Sequence, residues 1–197
     1  MGVGINDSRW AVRGVAFLAI AAALYVIPGC SAKPGADLKA LATGDMAKLE
    51  VASSPAVAPQ IPFVDDGGRS HTLSDFKGKA VVLNIWATWC TPCVAEMGSL
   101  AKLQASRAGQ PIQVVAISLD RAEDVAAAKR FIAKRAPLGF YSDSKYALAY
   151  AFNPPLAGVP TTVLIDRNGV VRARLSGGAD WSGVQAGKVI DALLARS

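Results

Sequence analysis

The stretch KAVVLNIWATWCTPCVAEMGSLAKLQ, residues 79–104, decides the fold because its hydrophobic pattern changes period halfway. KAVVLNIWA (79–87) is a β-branched apolar run of the kind buried on both faces of a sheet. From residue 94, Val94, Met97, Leu100, Ala101 and Leu103 recur at helical spacing. A strand therefore feeds a helix, and WATWCTPC (86–93) places Cys90 and Cys93 at the junction.

The same reading extends outward. DDGG (65–68) separates two short extended runs and predicts a hairpin upstream. PIQVVAISL (111–119) is a second buried strand. Asp120 and Glu123 have capping-box spacing, with Asp in place of Ser or Thr, ahead of a helix through AEDVAAAKRFIAKR. LGFYSD predicts a short strand and SKYALAYAF a helix. VPTTVLID (159–166), a turn at 167–169 and VVRARLS (170–176) predict a hairpin, and a last helix spans roughly 181–196. The order predicts an α/β domain over 61–197: a central mixed β-sheet flanked by helices, with an N-terminal β-hairpin.

The cysteine pair admits several chemistries, and counting ligands separates them. A structural zinc site needs four ligands, yet the chain has three cysteines and one histidine, His71. No metal is assigned. Two thiolates could carry Cu(I), although no spacing rule places His71 beside them. As a structural staple, a disulfide closing so short a loop removes little unfolded-state entropy. Redox chemistry fits best. At a helix start, backbone N–H groups and the helix dipole stabilise the thiolate of Cys90. Pro92 suits the first helical turn. Cys93 lies a turn further in and more covered. Cys90 is thus expected to attack a disulfide and Cys93 to resolve the mixed disulfide. Glu96, one turn beyond Cys93, could relay a proton; the competing reading is a solvent-facing helix residue. Pro160, at a strand entrance, marks either a sheet edge or a cis bond.

Composition bounds the rest. The chain has 197 residues, 52% hydrophobic and 18% charged, with a net charge of +6. These values describe a folded domain with an appendage. The densest basic run, KRFIAKR (129–135), has apolar positions between its charges and no aromatic platform. It reads as a solvated helix face, so no nucleic-acid partner is expected. Arg9 and Arg13 precede GVAFLAIAAALYVIPGCSA (14–32), which carries no charge. That pattern predicts export with the N-terminus inside. An uncleaved signal anchor is the preferred fate of residues 1–32; cleavage near Ala32 and lipidation at Cys30, in a lipobox-like IPGC, compete with it. Residues 33–60 read as a connector with a short helix and a Pro/Ser/Ala linker.

WATWCTPC, preceded by LSDFKGKAVVLN (73–84) and followed by GVPTTVLID (158–166), resembles the TlpA/ResA-like group of thioredoxin-fold thiol-disulfide oxidoreductases. The resemblance covers about 61–197. It implies a thioredoxin-like fold with an inserted strand and helix at about 136–153, and a redox disulfide Cys90–Cys93. Pro160 would be a cis-proline facing the cysteines, and Val159 would offer backbone hydrogen bonds to a bound substrate. Trp89, Thr91 and Pro92 would complete the substrate contact, Trp86 would be core, and Glu96 matches an acidic position of these reductases. Asn84 stands where cytoplasmic thioredoxins carry a buried Asp. Val94-Ala95 departs from the Arg or Lys common after the second cysteine, which weakens thiolate stabilisation.

Thr91-Pro92 contains no histidine, the residue that supports the thiolate of strong oxidants, so a reductase is expected. No cofactor is implied. By resemblance, the substrates are protein disulfides in cytochrome c maturation or cytochrome oxidase copper-site assembly. The electron donor is a membrane thiol carrier of the DsbD or CcdA type, and the site works at the periplasmic face of the inner membrane. The competing classes are a Cu(I) metallochaperone, a peroxidase and a tethered adaptor. A peroxidase needs a Thr three residues before its reactive Cys, whereas Thr88 is two before Cys90.

Overall fold

The computed structural model describes Met1 and residues 36–156 and 158–196. The expectations on the apolar leader, Arg9, Arg13 and Cys30 lie outside those residues. Among the described residues no helix is long and apolar enough to cross a membrane. The chain runs α1 (Ala36–Leu41), β1 (Leu49–Val51), β2 (Phe63–Asp65), β3 (Ser70–His71), β4 (Ala80–Trp86), α2 (Thr91–Ser106), β5 (Ile112–Ser118) and α3 (Val125–Ala133). It continues through β6 (Phe140–Ser142), α4 (Ala147–Ala151), β7 (Thr161–Ile165), β8 (Val171–Ser176) and α5 (Val184–Leu194). The strands form one sheet in the order β1-β8-β7-β4-β5-β6-β2-β3. Pairs β4–β5 and β5–β6 are parallel and the rest antiparallel.

β4 is buried at every residue, as its unbroken apolar run requires. Strand alternation sends its side chains to opposite faces. Val82 and Trp86 join Met97 and Leu100 of α2 and Val189 and Ile190 of α5 in one core. Val81, Leu83 and Ile85 join Phe63, Leu148 and Phe152 in the other. Asn84 shares the parity of Val82 and Trp86, so it faces α2. The predicted hairpins form as β2–β3 and β7–β8, and β6 with α4 is the inserted strand and helix. The basic run 129–135 behaves as expected: Ile132 is buried, Arg130 and Lys134 are exposed, and Arg135 stacks 3.3 Å over the Phe131 ring.

Two expectations are corrected. The segment 33–60 is more than a connector. Residues 49–51 pair with β8 along the sheet edge, and Leu38, Met46 and Leu49 are buried in the core beside α5. The Asp120/Glu123 capping box does not form. α3 begins at Val125 after Asp124, which makes no side-chain cap bond. The Asp120 carboxylate is already taken by the loop before Cys90.

Candidate redox site

The end of β4 hands the chain to α2 through Ala87, Thr88 and Trp89. A buried carboxylate holds that loop. Thr88 donates its backbone N–H to both oxygens of Asp120 at 3.1 Å and also its hydroxyl, while the Ser118 hydroxyl donates to Oδ2 at 2.8 Å. Asp120 is fully buried. Two adjacent strands, β4 and β5, are thereby tied together where the site begins. The Thr88 hydroxyl is committed to Asp120.

Cys90 is the N-cap residue of α2, and its Sγ accepts the N–H of Cys93 at 3.3 Å. This is an orphan donor of the first helical turn, satisfied by sulfur rather than by an oxygen. Pro92 lies in that first turn. Cys90 and Cys93 form a disulfide, with Cα atoms 5.2 Å apart. Cys90 retains 6% of its exposure and Cys93 none. Trp89 is 61% exposed, whereas Trp86 is fully buried and packs against Phe131 with ring centroids 5.2 Å apart.

Glu96 is buried at 4% exposure, not turned to solvent. Asn84 Nδ2 donates to its Oε1 at 2.8 Å, and the Ala179 N–H donates to its Oε2 at 3.1 Å. Asn84 Nδ2 also donates to Thr162 Oγ1 at 2.9 Å. Burial pushes the Glu96 carboxyl above its ordinary value of 4.5. The bonds from Asn84 and Ala179, with the nearby Trp181 indole, oppose that rise and do not cancel it. The Trp181 N–H itself meets no acceptor at hydrogen-bond geometry among the described residues.

The Val159–Pro160 peptide bond is cis. The Pro160 carbonyl accepts the Gly177 N–H at 2.8 Å, and Thr161 Oγ1 donates to the Gly158 carbonyl at 2.7 Å. Gly177 has φ +96°, a conformation that side chains rarely adopt. The next residue, Gly178, lies against α2: a Cβ there would stand 3.5 Å from the Pro92 carbonyl oxygen and 3.9 Å from Glu96 Oε2. Residues 177–179 therefore link the Pro160 turn to Pro92 and Glu96. Sequence reasoning passed over this link, and over the contact of Asp120 with Thr88, because the partners lie some 30 to 80 residues apart. Paired glycines at the end of β8 were the one available signal.

His71 lies elsewhere. Its Nε2 is 3.0 Å from Asp65 Oδ2 and its Nδ1 is 3.3 Å from Asp75 Oδ2. The contact with His71, with bonds from Arg69, holds the Asp65 carboxyl well below the usual carboxylate range. β3 is four strand positions from β4 in the sheet, or roughly 19 Å at about 4.8 Å per strand. His71 is therefore not brought to the cysteines. Among the described residues no cluster of His, Cys, Asp or Glu is placed to hold a metal ion.

A buried thiol and a covered but reachable one at a helix start, beside a protonatable buried carboxyl, form a unit able to exchange two electrons with a disulfide. Comparisons with known proteins agree. The Redoxin family model matches residues 52–190. The thiol-disulfide oxidoreductase ResA of Geobacillus kaustophilus is 35% identical over 124 residues, covering 62% of this chain and 68% of that protein. The thioredoxin-like protein YneN of Bacillus subtilis is 35% identical over 116 residues, covering 58% and 66%. Among solved structures, a putative thiol:disulfide interchange protein DsbE from Chlorobium tepidum superposes with a TM-score of 0.62 at 29% identity, covering 72% of this chain and 98% of that one. A DsbF homologue from Corynebacterium diphtheriae gives 0.62 at 26% identity, covering 74% and 93%. With this fold, this disulfide and these relatives, the chain belongs to the Redoxin family as a ResA-like, thioredoxin-fold thiol-disulfide oxidoreductase.

Proposed function

We propose that the chain is an exported reductase of protein disulfides in which Cys90 is the nucleophile and Cys93 the resolving thiol. The observation that carries the assignment is the unequal burial of the two cysteines, with the Cys93 N–H on the Cys90 sulfur. In the dithiol form, the Cys90 thiolate attacks a substrate sulfur. One substrate sulfur leaves as a thiolate and takes a proton. The Cys93 thiol then passes its proton to Glu96 and attacks Cys90 Sγ. The second substrate sulfur leaves and takes up the proton held by Glu96, and Cys90–Cys93 closes. Two electrons leave the enzyme and the substrate disulfide is reduced. Trp89, Thr91, Pro92, Val159 and Pro160 form the surface that receives the substrate. The exposure of Trp89 and the Gly177–Pro160 bond support that grouping.

The uncharged leader between arginines and Lys33 supports export. In an oxidising compartment the enzyme needs a membrane thiol donor of the DsbD or CcdA type. Disulfides of cytochrome c maturation or of cytochrome oxidase copper-site assembly are the proposed clients, on the resemblance to ResA-like proteins. Cys93→Ala is expected to accumulate mixed disulfides through Cys90, and Cys90→Ser none; adducts held through Cys93 instead would reverse the roles. A reduction potential of about −120 mV, that of a strong oxidant, would exclude the reductase direction.

A further inference from the structure

Beside the redox pair lies an open depression of about 330 Å³ lined by Trp89, Arg121, Asp124 and Tyr146. Trp89 is bonded to Cys90, so their Cα atoms are about 3.8 Å apart. The loop after β5 supplies Arg121 and Asp124. Both are exposed, and among the described residues neither makes an ion pair, with the other or with any third group. Tyr146 occupies the left-handed region at φ +60°, rare for a bulky side chain. Its N–H donates to the Asp143 carbonyl at 3.0 Å, and the Asp143 side chain accepts from Leu148 N at 2.8 Å, so the turn is held from both sides. Strain of this kind persists where the surroundings over-determine it, often at ligand sites.

Opposite charges that share one depression without neutralising each other remain available to a ligand carrying both. We propose that this depression is a subsite for a zwitterionic amino-acid or short-peptide disulfide, of the glutathione disulfide class. Arg121 takes a carboxylate, Asp124 the α-ammonium group, and Trp89 and Tyr146 flank the chain between them. At about 330 Å³ the depression lies at the low end of the volumes of small-molecule sites, and its rim carries the nucleophile's neighbour. The inference rests on the reductase reading above. The Cys90 thiolate attacks the bound disulfide and one ligand thiol leaves with a proton. Cys93 then displaces the other, and the two electrons come from the Cys90/Cys93 dithiol.

The test uses the pre-reduced protein in single turnover against glutathione disulfide and against uncharged 2-hydroxyethyl disulfide. Arg121→Gln and Asp124→Asn should each lower the ratio of the two rate constants at least tenfold. S-methylglutathione, which has no disulfide, should bind the oxidised protein and shift the NMR signals of the Trp89 indole and the Tyr146 ring. An unchanged ratio in both variants, or no shift with S-methylglutathione, overturns the subsite while leaving the reductase intact. Slowing of insulin disulfide reduction with no change in the ratio would assign the depression to protein clients and equally overturn it. A chain that reduces none of these disulfides overturns the reductase reading and this inference with it.

Discussion

At the residue scale, the proposed proton relay rests on Glu96. A carboxyl one turn from Cys93 was legible in the sequence, but its burial was not, since helix geometry alone allowed a solvent-facing side chain. The loop 177–179 covers it, and burial then raises its proton affinity above that of an ordinary carboxyl. In Glu96→Gln the proposed proton acceptor is lost while the volume is kept. We expect the first mixed disulfide to form at the wild-type rate and its resolution to slow about 100-fold, the common scale of general-base loss. Stopped-flow fluorescence across pH checks this; equal slowing of both steps would reject the relay. A second consequence concerns stability. The folded-state affinity of Glu96 lies above that of the unfolded chain, so the native protein binds the proton more tightly. Its contribution is complete below the ordinary value of 4.5 and is lost as pH rises through the raised value. Urea unfolding of wild type against Glu96→Gln should therefore shift in favour of the variant as pH rises above 4.5.

The loop from β4 to α2 shows how elements hold a reactive sulfur in place. Trp86 and Trp89 are three residues apart, yet one is buried and the other exposed, because the chain leaves the strand between them. Asp120 fixes that exit from the neighbouring strand. Its apparent capping-box spacing with Glu123 misled the sequence reading, because local spacing cannot show that Thr88 and Ser118 have already claimed the carboxylate. Removing it leaves buried donors without an acceptor, so Asp120→Ala is expected to cost about 3 kcal/mol of stability. It should also slow disulfide exchange by loosening the Cys90 loop. Chemical denaturation and a coupled insulin assay report the two effects. The strand and helix bounds themselves were mostly legible: periodicity placed β4, α2, β5, β7 and β8 within a few residues.

For the whole molecule, the sheet edge is the informative part. The Redoxin match begins at residue 52, yet β1 at 49–51 pairs with β8, and Leu38 and Met46 are fully buried. A chain beginning at residue 52 exposes one edge of β8 and part of the core, so its melting temperature should fall and its aggregation rise against a chain beginning at residue 36. Met46→Ala in the longer chain should cost about 3 kcal/mol. Calorimetry on the three proteins decides it, and equal melting temperatures would remove β1 from the folding unit. Period and spacing sufficed for the strand that feeds a helix and for the cysteine pair at their junction, because those features depend on neighbours a few residues apart. The burial of Glu96, the Asp120 clasp, the remoteness of His71 from the cysteines, the joining of residues 49–51 to the sheet and the burial of Leu38 and Met46 in the core were decided only in three dimensions. Each depends on which distant segments close over one another, and no local pattern encodes that contact.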